Sequence, residues 1–327
     1  MPIRWGICST GKIAETFAAA LNSVDESICA AVSSRSLEKA EKFAGKYGFE
    51  KAFGSLEEML SDGNIDIVYI ASPMACHYEH AKTAILAGVN VLCEKSVTLN
   101  CEQLSELLTL AKTKRVFFME AMWMKCRPSF LKAMEWIKDG RIGSVQMVKA
   151  DFCNSVAFDE NDRLFIPELG GGCLLDLAVY PFTLVEAVFG GKPDNITSKA
   201  RMGKTGVDFD MAAILEYENG FAAVTAGFDA QCGNNAAIIG DKGHIELGNW
   251  FFCTCDAVLF DENNAVVENF HQDNLCNGYE YEIMEANRCL SAGLPESPLV
   301  PHAGTVNVME MMDECRKQWK FQFPEEM

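Results

Sequence analysis

Over the first 120 or so residues, short apolar runs alternate with segments whose apolar residues recur every three or four positions. Residues 3–9 read as a buried strand. Residues 12–22 read as a helix with Ile13, Phe17, Ala20 and Leu21 on one face. A second strand is predicted over Ser27–Ser33 and a helix over Leu37–Tyr47, with Gly48 as its stop. Ser55 and Glu58 have the spacing of a capping box ahead of Met59 and Leu60. Residues 65–71 form the next apolar strand, 77–87 a helix stopped by Gly88, 90–93 a short strand, 101–112 a helix and 116–119 a further strand. Strand–helix units repeated with short turns imply a doubly wound parallel sheet with helices on both faces.

Beyond residue 121 the pattern changes. A helix over 129–138 leads to a long strand over 145–152. The run Gly170-Gly171-Gly172 then precedes a helix reaching about residue 189. Strand patterns follow at 195–202, 210–217, 222–228, 235–239 and 244–247. No helix separates them, so they read as antiparallel. Helices over 281–292 and 305–319 close the chain. The expected organisation is an α/β chain with a Rossmann domain over 1–121 and an α/β domain over 122–327 built on an open, mainly antiparallel sheet.

Composition narrows the partners. The chain has 327 residues, 49% hydrophobic and 23% charged, as in ordinary globular proteins. Its formal net charge of −18 repels nucleic acid and anionic lipid, so neither a polynucleotide nor a membrane partner is expected. No apolar run is read as long enough to span a bilayer. The 14 cysteines include no CxxC pair, and the start Met1-Pro2-Ile3-Arg4-Trp5 runs straight into a strand. Free thiols in a reducing cytoplasm are the expectation. Cys253 with Cys255, and His77 with His80, each offer half a metal site with no evident second half. They read as small buried hydrophobes and a helix-surface pair, and no metal is expected.

The turn Cys8-Ser9-Thr10-Gly11-Lys12-Ile13 joins the first strand to the first helix. A dinucleotide fingerprint uses one glycine for the tight turn, a second for close approach of pyrophosphate and a third for helix–strand packing. Ser9, Gly11 and Ala14 stand at those places, so only the middle glycine is literal. The context, within a βαβ unit, carries the assignment, because the helix N-terminus offers unpaired N–H groups to phosphate. At the end of the second strand, Ser33-Ser34-Arg35-Ser36 lacks the carboxylate that would bond a ribose 2′-OH. Arg35 can instead pair with a 2′-phosphate, which points to NADP, with NAD the lesser alternative.

Two segments carry candidate chemistry. Cys93-Glu94-Lys95-Ser96 follows a strand and lies at the carboxyl edge of the sheet, where doubly wound folds bind ligands. Asp176 and Tyr180 stand four residues apart and share one helix face. Oxidising an alcohol by hydride transfer needs a base for the hydroxyl proton. Moving a phenol from a pKa of about 10 to near 7 takes roughly 4 kcal/mol, and one ammonium at about 4 Å supplies that much at an effective dielectric of about 20. Lys95 could play this part for Tyr180 or act as the acid/base itself. Asp176 would bind substrate hydroxyls or hold Lys95, while its charge opposes ionisation of Tyr180. Spacing alone does not separate these roles from a surface cation, a helix N-terminal charge and a core aromatic.

At these residues the chain resembles the Gfo/Idh/MocA oxidoreductase family, and within it the dimeric dihydrodiol dehydrogenase (D-xylose dehydrogenase) group. The shared stretches are Arg4-Trp5-Gly6-Ile7 with Gly11, Ser34-Arg35-Ser36, Tyr69-Ile70-Ala71-Ser72-Pro73 with His77-Tyr78, Leu92-Cys93-Glu94-Lys95 and Met119-Glu120-Ala121-Met122-Trp123. The most specific is Gly171-Gly172-Cys173-Leu174-Leu175-Asp176-Leu177-Ala178-Val179-Tyr180-Pro181. The resemblance implies Lys95 and Tyr180 as the catalytic pair with Asp176 beside them. It implies cofactor contacts from Ser9, Thr10, Gly11, Lys12, Ile13, Ser34, Arg35, Ser72, Pro73, His77, Glu94, Lys95 and Trp123. It also implies Asp176 and Tyr180 at the substrate, Arg163 where related enzymes contact substrate or cofactor, and a homodimer formed through the outer face of the second sheet; Trp250 is a further candidate substrate contact. The family usually reads Glu-Lys-Pro where this chain reads Glu94-Lys95-Ser96. Serine removes the extended bias that proline imposes on the preceding residue, so packing must fix the Lys95 backbone. Phe158, Phe165 and Tyr279, with Trp123 and Trp250, are aromatic candidates for an apolar pocket or for core packing. The function expected is NADP-dependent hydride transfer to or from a small sugar, polyol or cyclic diol. The rival is a non-catalytic NADP-binding sensor of the same fold.

Overall fold

A computed structural model describes residues 1–326 and divides into two compact units. The first comprises Met1–Thr98, Glu102–Cys126 and Asn274–His302. The second comprises Leu99–Cys101, Arg127–Asp273 and the chain from Ala303 onward.

The alternation in the first part of the chain becomes β1 (Ile3–Cys8), α1 (Lys12–Leu21), β2 (Ser27–Ser33), α2 (Leu37–Tyr47), β3 (Lys51–Phe53), α3 (Leu56–Ser61), β4 (Ile67–Ile70), α4 (His77–Leu86), β5 (Asn90–Glu94), α5 (Cys101–Lys114) and β6 (Phe118–Ala121). The six strands are parallel in the order β3-β2-β1-β4-β5-β6, with the reversal at β1/β4 that marks a doubly wound sheet. β4 is buried at every position and β1 at its last four, which is why both read as unbroken apolar runs. Gly48 ends α2 in the left-handed conformation at φ 78°. Ser55 Oγ accepts from Glu58 N at 3.1 Å, but Glu58 reaches back to Gly54 N at 3.0 Å and so closes a box one residue wider than the sequence suggests. The three-residue β3 is too short to leave a period and was not predicted.

The second unit contains α6 (Pro128–Lys138), β7 (Val145–Cys153), α7 (Val179–Phe189), β8 (Asn195–Met202), β9 (Asp208–Tyr217), β10 (Gly220–Gly227), β11 (Ala236–Gly240), β12 (Gly243–Leu247), β13 (Asp256–Asp261) and β14 (Val266–His271). Its eight strands run in the order β14-β13-β12-β11-β7-β10-β9-β8. All pairs are antiparallel except β7 with β10, because β7 enters the middle of the sheet rather than its edge. β13 and β14 escaped the sequence reading. β14 is an edge strand with no buried residue, and its half-polar run carries little apolar signal.

The last two helices are α8 (Glu280–Ser291) and α9 (His302–Trp319). A single division after residue 121 does not describe the compact units, since α8 packs within the first. Trp5 Nε1 donates to Asn287 Oδ1 at 3.1 Å, and Asn287 Nδ2 donates to Ser27 Oγ at 2.9 Å. These partners lie more than 250 residues apart, so no local pattern could announce them.

The expectation that no apolar run reaches membrane-spanning length also needs correcting. Pro167–Phe189 is long and apolar enough by composition, yet most of it is buried inside the second unit, as suits a core helix. Its entry is built by close backbone approach. Gly172 sits at φ 121°, and a Cβ there would meet Asp208 Oδ1 at 2.3 Å. Asp208, 1% exposed, accepts from Leu174 N at 2.6 Å and thereby caps the helical run. Residues Leu174–Ala178 form a π-helical turn that leads into α7.

Burial pushes the Asp208 carboxyl up from 3.8 to about 6, against the lowering effect of its hydrogen bonds from Leu174 and Cys173. The folded protein therefore holds this proton to higher pH than the unfolded chain. Stability should fall as pH rises through about 4 to about 6 and then level off. Asp208→Asn keeps an acceptor for Leu174 N and removes the slope. Relative to the variant, the parent should lose on the order of 3 kcal/mol across that window. Urea unfolding at a series of pH values measures it, and parallel profiles for the two proteins would sink the assignment.

Candidate active site

The first unit builds a candidate phosphate-binding edge from backbone. Ser9 takes φ 94°, a conformation glycine adopts freely and L-residues rarely do. The serine thus does the geometric work of the missing first glycine, with its N–H donating to Ser33 O at 2.9 Å. Gly11 caps the ten-residue α1 with no side-chain hydrogen bond to the helix N–H groups. Thr10, Gly11, Lys12 and Ile13 are at least partly exposed, so those donors are accessible to an anion. Ala14 is fully buried at the third fingerprint place, where only a small side chain lets helix and strand close.

Beyond β2, Ser34 is half-buried and Arg35 is exposed. Arg35 makes no hydrogen bond or ion pair among the described residues. Ser36 is engaged as the cap of α2, accepting from Lys39 N at 3.4 Å. His80 is half-buried, with Nδ1 2.9 Å from Ser72 Oγ. Burial lowers its pKa first of all, and the Arg35 charge lowers it further.

His77 and His80 are not a surface pair. His77 is 2% exposed, with Nδ1 2.9 Å from Ser96 O and Nε2 2.9 Å from Ser72 O. Burial outweighs both carbonyls and takes its pKa down to about 4, so the ring is neutral near pH 7. Both nitrogens are taken, so the direct cofactor contact that the resemblance implies for His77 would require breaking one of these contacts. What the ring does in this fold is join the Ser72-Pro73 loop after β4 to the Glu94-Lys95-Ser96 loop after β5. Ser96 is fully buried, so packing fixes the backbone beyond Lys95 where the family's proline would stand. The Lys95–Ser96 peptide is cis.

Glu94, 6% exposed, accepts from Lys95 N at 3.1 Å and from the hydroxyl of Tyr69. Burial, then the charge of Glu94, holds the Tyr69 phenol well above its ordinary range, so it remains a donor. Glu282 is fully buried, with no hydrogen-bond partner for either carboxyl oxygen among the described residues. Burial first and Glu94 second keep it protonated. Trp123, 7% exposed, stacks on Tyr279 with centroids 4.4 Å apart. Of the aromatic candidates, Tyr279 and Phe165 are thus core, while Phe158 and Trp250 keep exposed surface.

In the second unit the structure brings the four expected substrate residues, Arg163, Asp176, Tyr180 and Trp250, into one neighbourhood. Arg163 Nη1 lies 3.4 Å from Asp176 Oδ1, with the Asp176 side chain 14% exposed. Asp176 occupies the π turn and Tyr180 the start of α7. Four residues at the wider π spacing still return to the same face, and such turns recur at functional sites. Tyr180 is 5% exposed and lies against Phe252 (4.6 Å) and Phe152 (5.7 Å). Trp250, at φ 59°, meets both phenylalanines edge-on. Sequence reasoning missed Phe152 and Phe252. Each sits in an ordinary apolar pattern, so only the tertiary contact reveals it. Among the described residues no group of three or more His, Cys, Asp or Glu is arranged to hold a metal.

Comparison with known proteins fits this arrangement. Residues 3–122 match a model described as an oxidoreductase family with an NAD-binding Rossmann fold, and residues 130–246 match the GFO/IDH/MocA C-terminal domain. Trans-1,2-dihydrobenzene-1,2-diol dehydrogenase of Xenopus tropicalis is 34% identical over 99% of this chain and 100% of its own. That of Danio rerio is 35% identical over 97% of each. Among solved structures, the 3-ketoreductase KijD10 from Actinomadura kijaniata, in complex with NADP and TDP-benzene, superimposes with a TM-score of 0.86 at 22% identity, covering 97% of this chain and 98% of that one. Levoglucosan dehydrogenase in complex with NADH and levoglucosan does so at 0.87 and 17% identity over 97% of each. With an NAD(P)-binding Rossmann unit, a second unit of the matching type and full-length relatives above 30% identity, the chain belongs to the Gfo/Idh/MocA family of oxidoreductases.

Proposed function

We propose that the protein is an NADP-dependent dehydrogenase that exchanges hydride with a carbinol carbon of a sugar, polyol or cyclic diol. The observation that carries the cofactor choice is Arg35. It is exposed at the end of β2, makes no ion pair among the described residues, and has no carboxylate in the β2–α2 turn to repel a 2′-phosphate. The substrate class rests on the full-length dihydrodiol dehydrogenase relatives, and the polar Arg163–Asp176 pair beside Tyr180 suits a hydroxylated substrate.

When bound, the nicotinamide supplies the hydride acceptor or donor. The α1 N-terminus and the Ser9–Ile13 turn would hold pyrophosphate, and Ser34 and Arg35 would meet the ribose phosphate. Ser72, Pro73, Glu94, Lys95 and Trp123 would complete the cofactor contacts. Tyr180 would take the substrate hydroxyl proton, with Lys95 the second catalytic residue that the family resemblance implies. Asp176 by itself would oppose ionisation of Tyr180. Arg163 at 3.4 Å offsets its charge, and the carboxylate is an acceptor of the kind a substrate hydroxyl needs. Trp250 supplies an exposed aromatic edge for the carbon frame.

The outer face of the second sheet supports a homodimer. One row of its ladder runs Phe221, Met147, Ile239, His244 and Phe260, with Phe221 42% exposed and Ile214 beside it at 41%. Two exposed large apolar side chains on neighbouring strands fit coverage by a second copy.

Three outcomes test these readings. Lys95→Met should lower kcat for oxidation of a dihydrodiol or aldose by about 10²–10⁴-fold while NADPH fluorescence titration still reports binding. Unchanged kcat would remove Lys95 from the chemistry, and binding without turnover in the parent protein would favour a sensor. Arg35→Ser should cut kcat/KM for NADP by about 10–100-fold with little change for NAD, and an equal loss for both would reject the 2′-phosphate contact. Phe221→Lys with Ile214→Lys should convert a dimer to a monomer in sedimentation velocity, whereas a monomeric parent would exclude this interface.

A further inference from the structure

The chain holds 14 cysteines and no disulfide. Two of them, 79 positions apart, are gathered at one end of the second sheet. Cys153 ends β7 and is half-buried, and Cys232 lies exposed in the loop between β10 and β11. Asn234, fully buried at φ 53°, ties them together. Its Oδ1 accepts from Cys153 N at 2.8 Å and lies 3.0 Å from Cys232 Sγ. Asp151 adds a second tie, with Oδ2 2.7 Å from Cys232 Sγ and 3.3 Å from Asn235 N. Gln231 Nε2 donates to Cys153 O at 3.2 Å. The loop is thus laced to the end of β7 on both sides of Cys232, and its sulfur is held beside Cys153. The backbone of Cys153 and the sulfur of Cys232 thus meet at one acceptor, Asn234 Oδ1.

We infer that Cys232 and Cys153 form a thiol-modification site, in which Cys232 captures a low-molecular-weight disulfide such as glutathione disulfide and Cys153 resolves it to an intramolecular disulfide. In the first step the Cys232 thiolate, its proton lost to solvent, attacks one sulfur of glutathione disulfide. A mixed disulfide forms and one glutathione thiolate leaves. In the second, the Cys153 thiolate attacks the Cys232 sulfur and expels the other glutathione. The two protein thiols lose two electrons and two protons, and glutathione disulfide is reduced to two glutathione thiols.

The order follows from access and charge. Cys232 is the exposed member. Burial, then the neighbouring Cys232 and Asp151, push the Cys153 thiol up to about 12, so its thiolate is scarce near neutral pH and ring closure is the slower step. The site also adjoins the candidate substrate wall within the same unit. Phe152, next to Cys153, lies against Tyr180. The loop carrying Cys232 also receives Trp250 N at Gly233 O (3.3 Å) and Phe251 N at Asn234 O (2.9 Å).

The test uses the full-length reduced protein and glutathione disulfide, followed by alkylation and peptide mapping by mass spectrometry. A glutathionyl adduct on Cys232 is expected first. It should convert to a Cys153–Cys232 cross-link at a rate rising about tenfold per pH unit between neutral and mildly alkaline pH. Cys153→Ser should trap the adduct on Cys232, and Cys232→Ser should leave Cys153 reduced and form no cross-link. The exposed Cys276, whose neighbouring titrating group is Glu280 rather than a second thiol, serves as an internal control that takes an adduct and keeps it. Persistence of the Cys232 adduct in the parent protein, or cross-linking of Cys232 to another thiol, would overturn the inference. None of these readouts depends on dehydrogenase activity.

Discussion

A buried imidazole between two backbone carbonyls ties together the carboxyl edge of the parallel sheet. His77 stands at the start of α4 and touches Ser72 O on one side and Ser96 O on the other. Neutral imidazole has one N–H, so only one contact is a full hydrogen bond, and protonation would satisfy both. Burial prevents that protonation. The ring therefore works as a close-packed spacer with one directed bond, and it sets the separation of the loops after β4 and β5. Lys95 projects from the second of these loops. Its backbone N–H is held by Glu94, whose carboxylate is itself oriented by the neutral phenol of Tyr69. Stacking of Tyr69 on Phe17 of α1, at 3.6 Å between centroids, links this network to the helix that follows the Ser9–Ile13 turn.

The second unit solves a different problem. A mostly buried apolar helix must begin where a carboxylate, a phenol and solvent meet. Asp208 accepts from its first turn, and glycine at position 172 is the residue that permits that approach. The π turn then shifts the register by a fraction of a turn, and Arg163 pairs with Asp176 at the half-exposed mouth. Aromatic rings from β7 and from the 250–252 segment close around Tyr180, so the phenol is held by packing with little freedom to rotate away.

Much of the first sheet was legible in the order of residues. Buried parallel strands are apolar on both faces and their helices are amphipathic, so the period switches cleanly along 1–121. The second sheet was less so. β14 has no buried position, and the parallel pairing of β7 with β10 depends on insertion into the middle of a sheet, which no local pattern encodes. The helix-surface reading of His77 and His80 failed for a related reason. An HxxH spacing records a helix face and is silent on what covers it.

By itself the sequence determined which residues are candidates for the chemistry: a strand–turn–helix unit at Ser9–Ile13, a cation without a carboxylate at Arg35, a lysine at the end of a strand, and Asp176 with Tyr180 on one helical face. These follow from spacing and residue type, which are local properties. Tertiary structure alone decided that Ser9 adopts a glycine-like φ, that His77 is a bracket, that Arg163 offsets Asp176, and that Asn234 brings Cys153 beside Cys232. Each depends on desolvation or on contact between residues far apart in the chain, and neither quantity exists until the backbone has closed on itself.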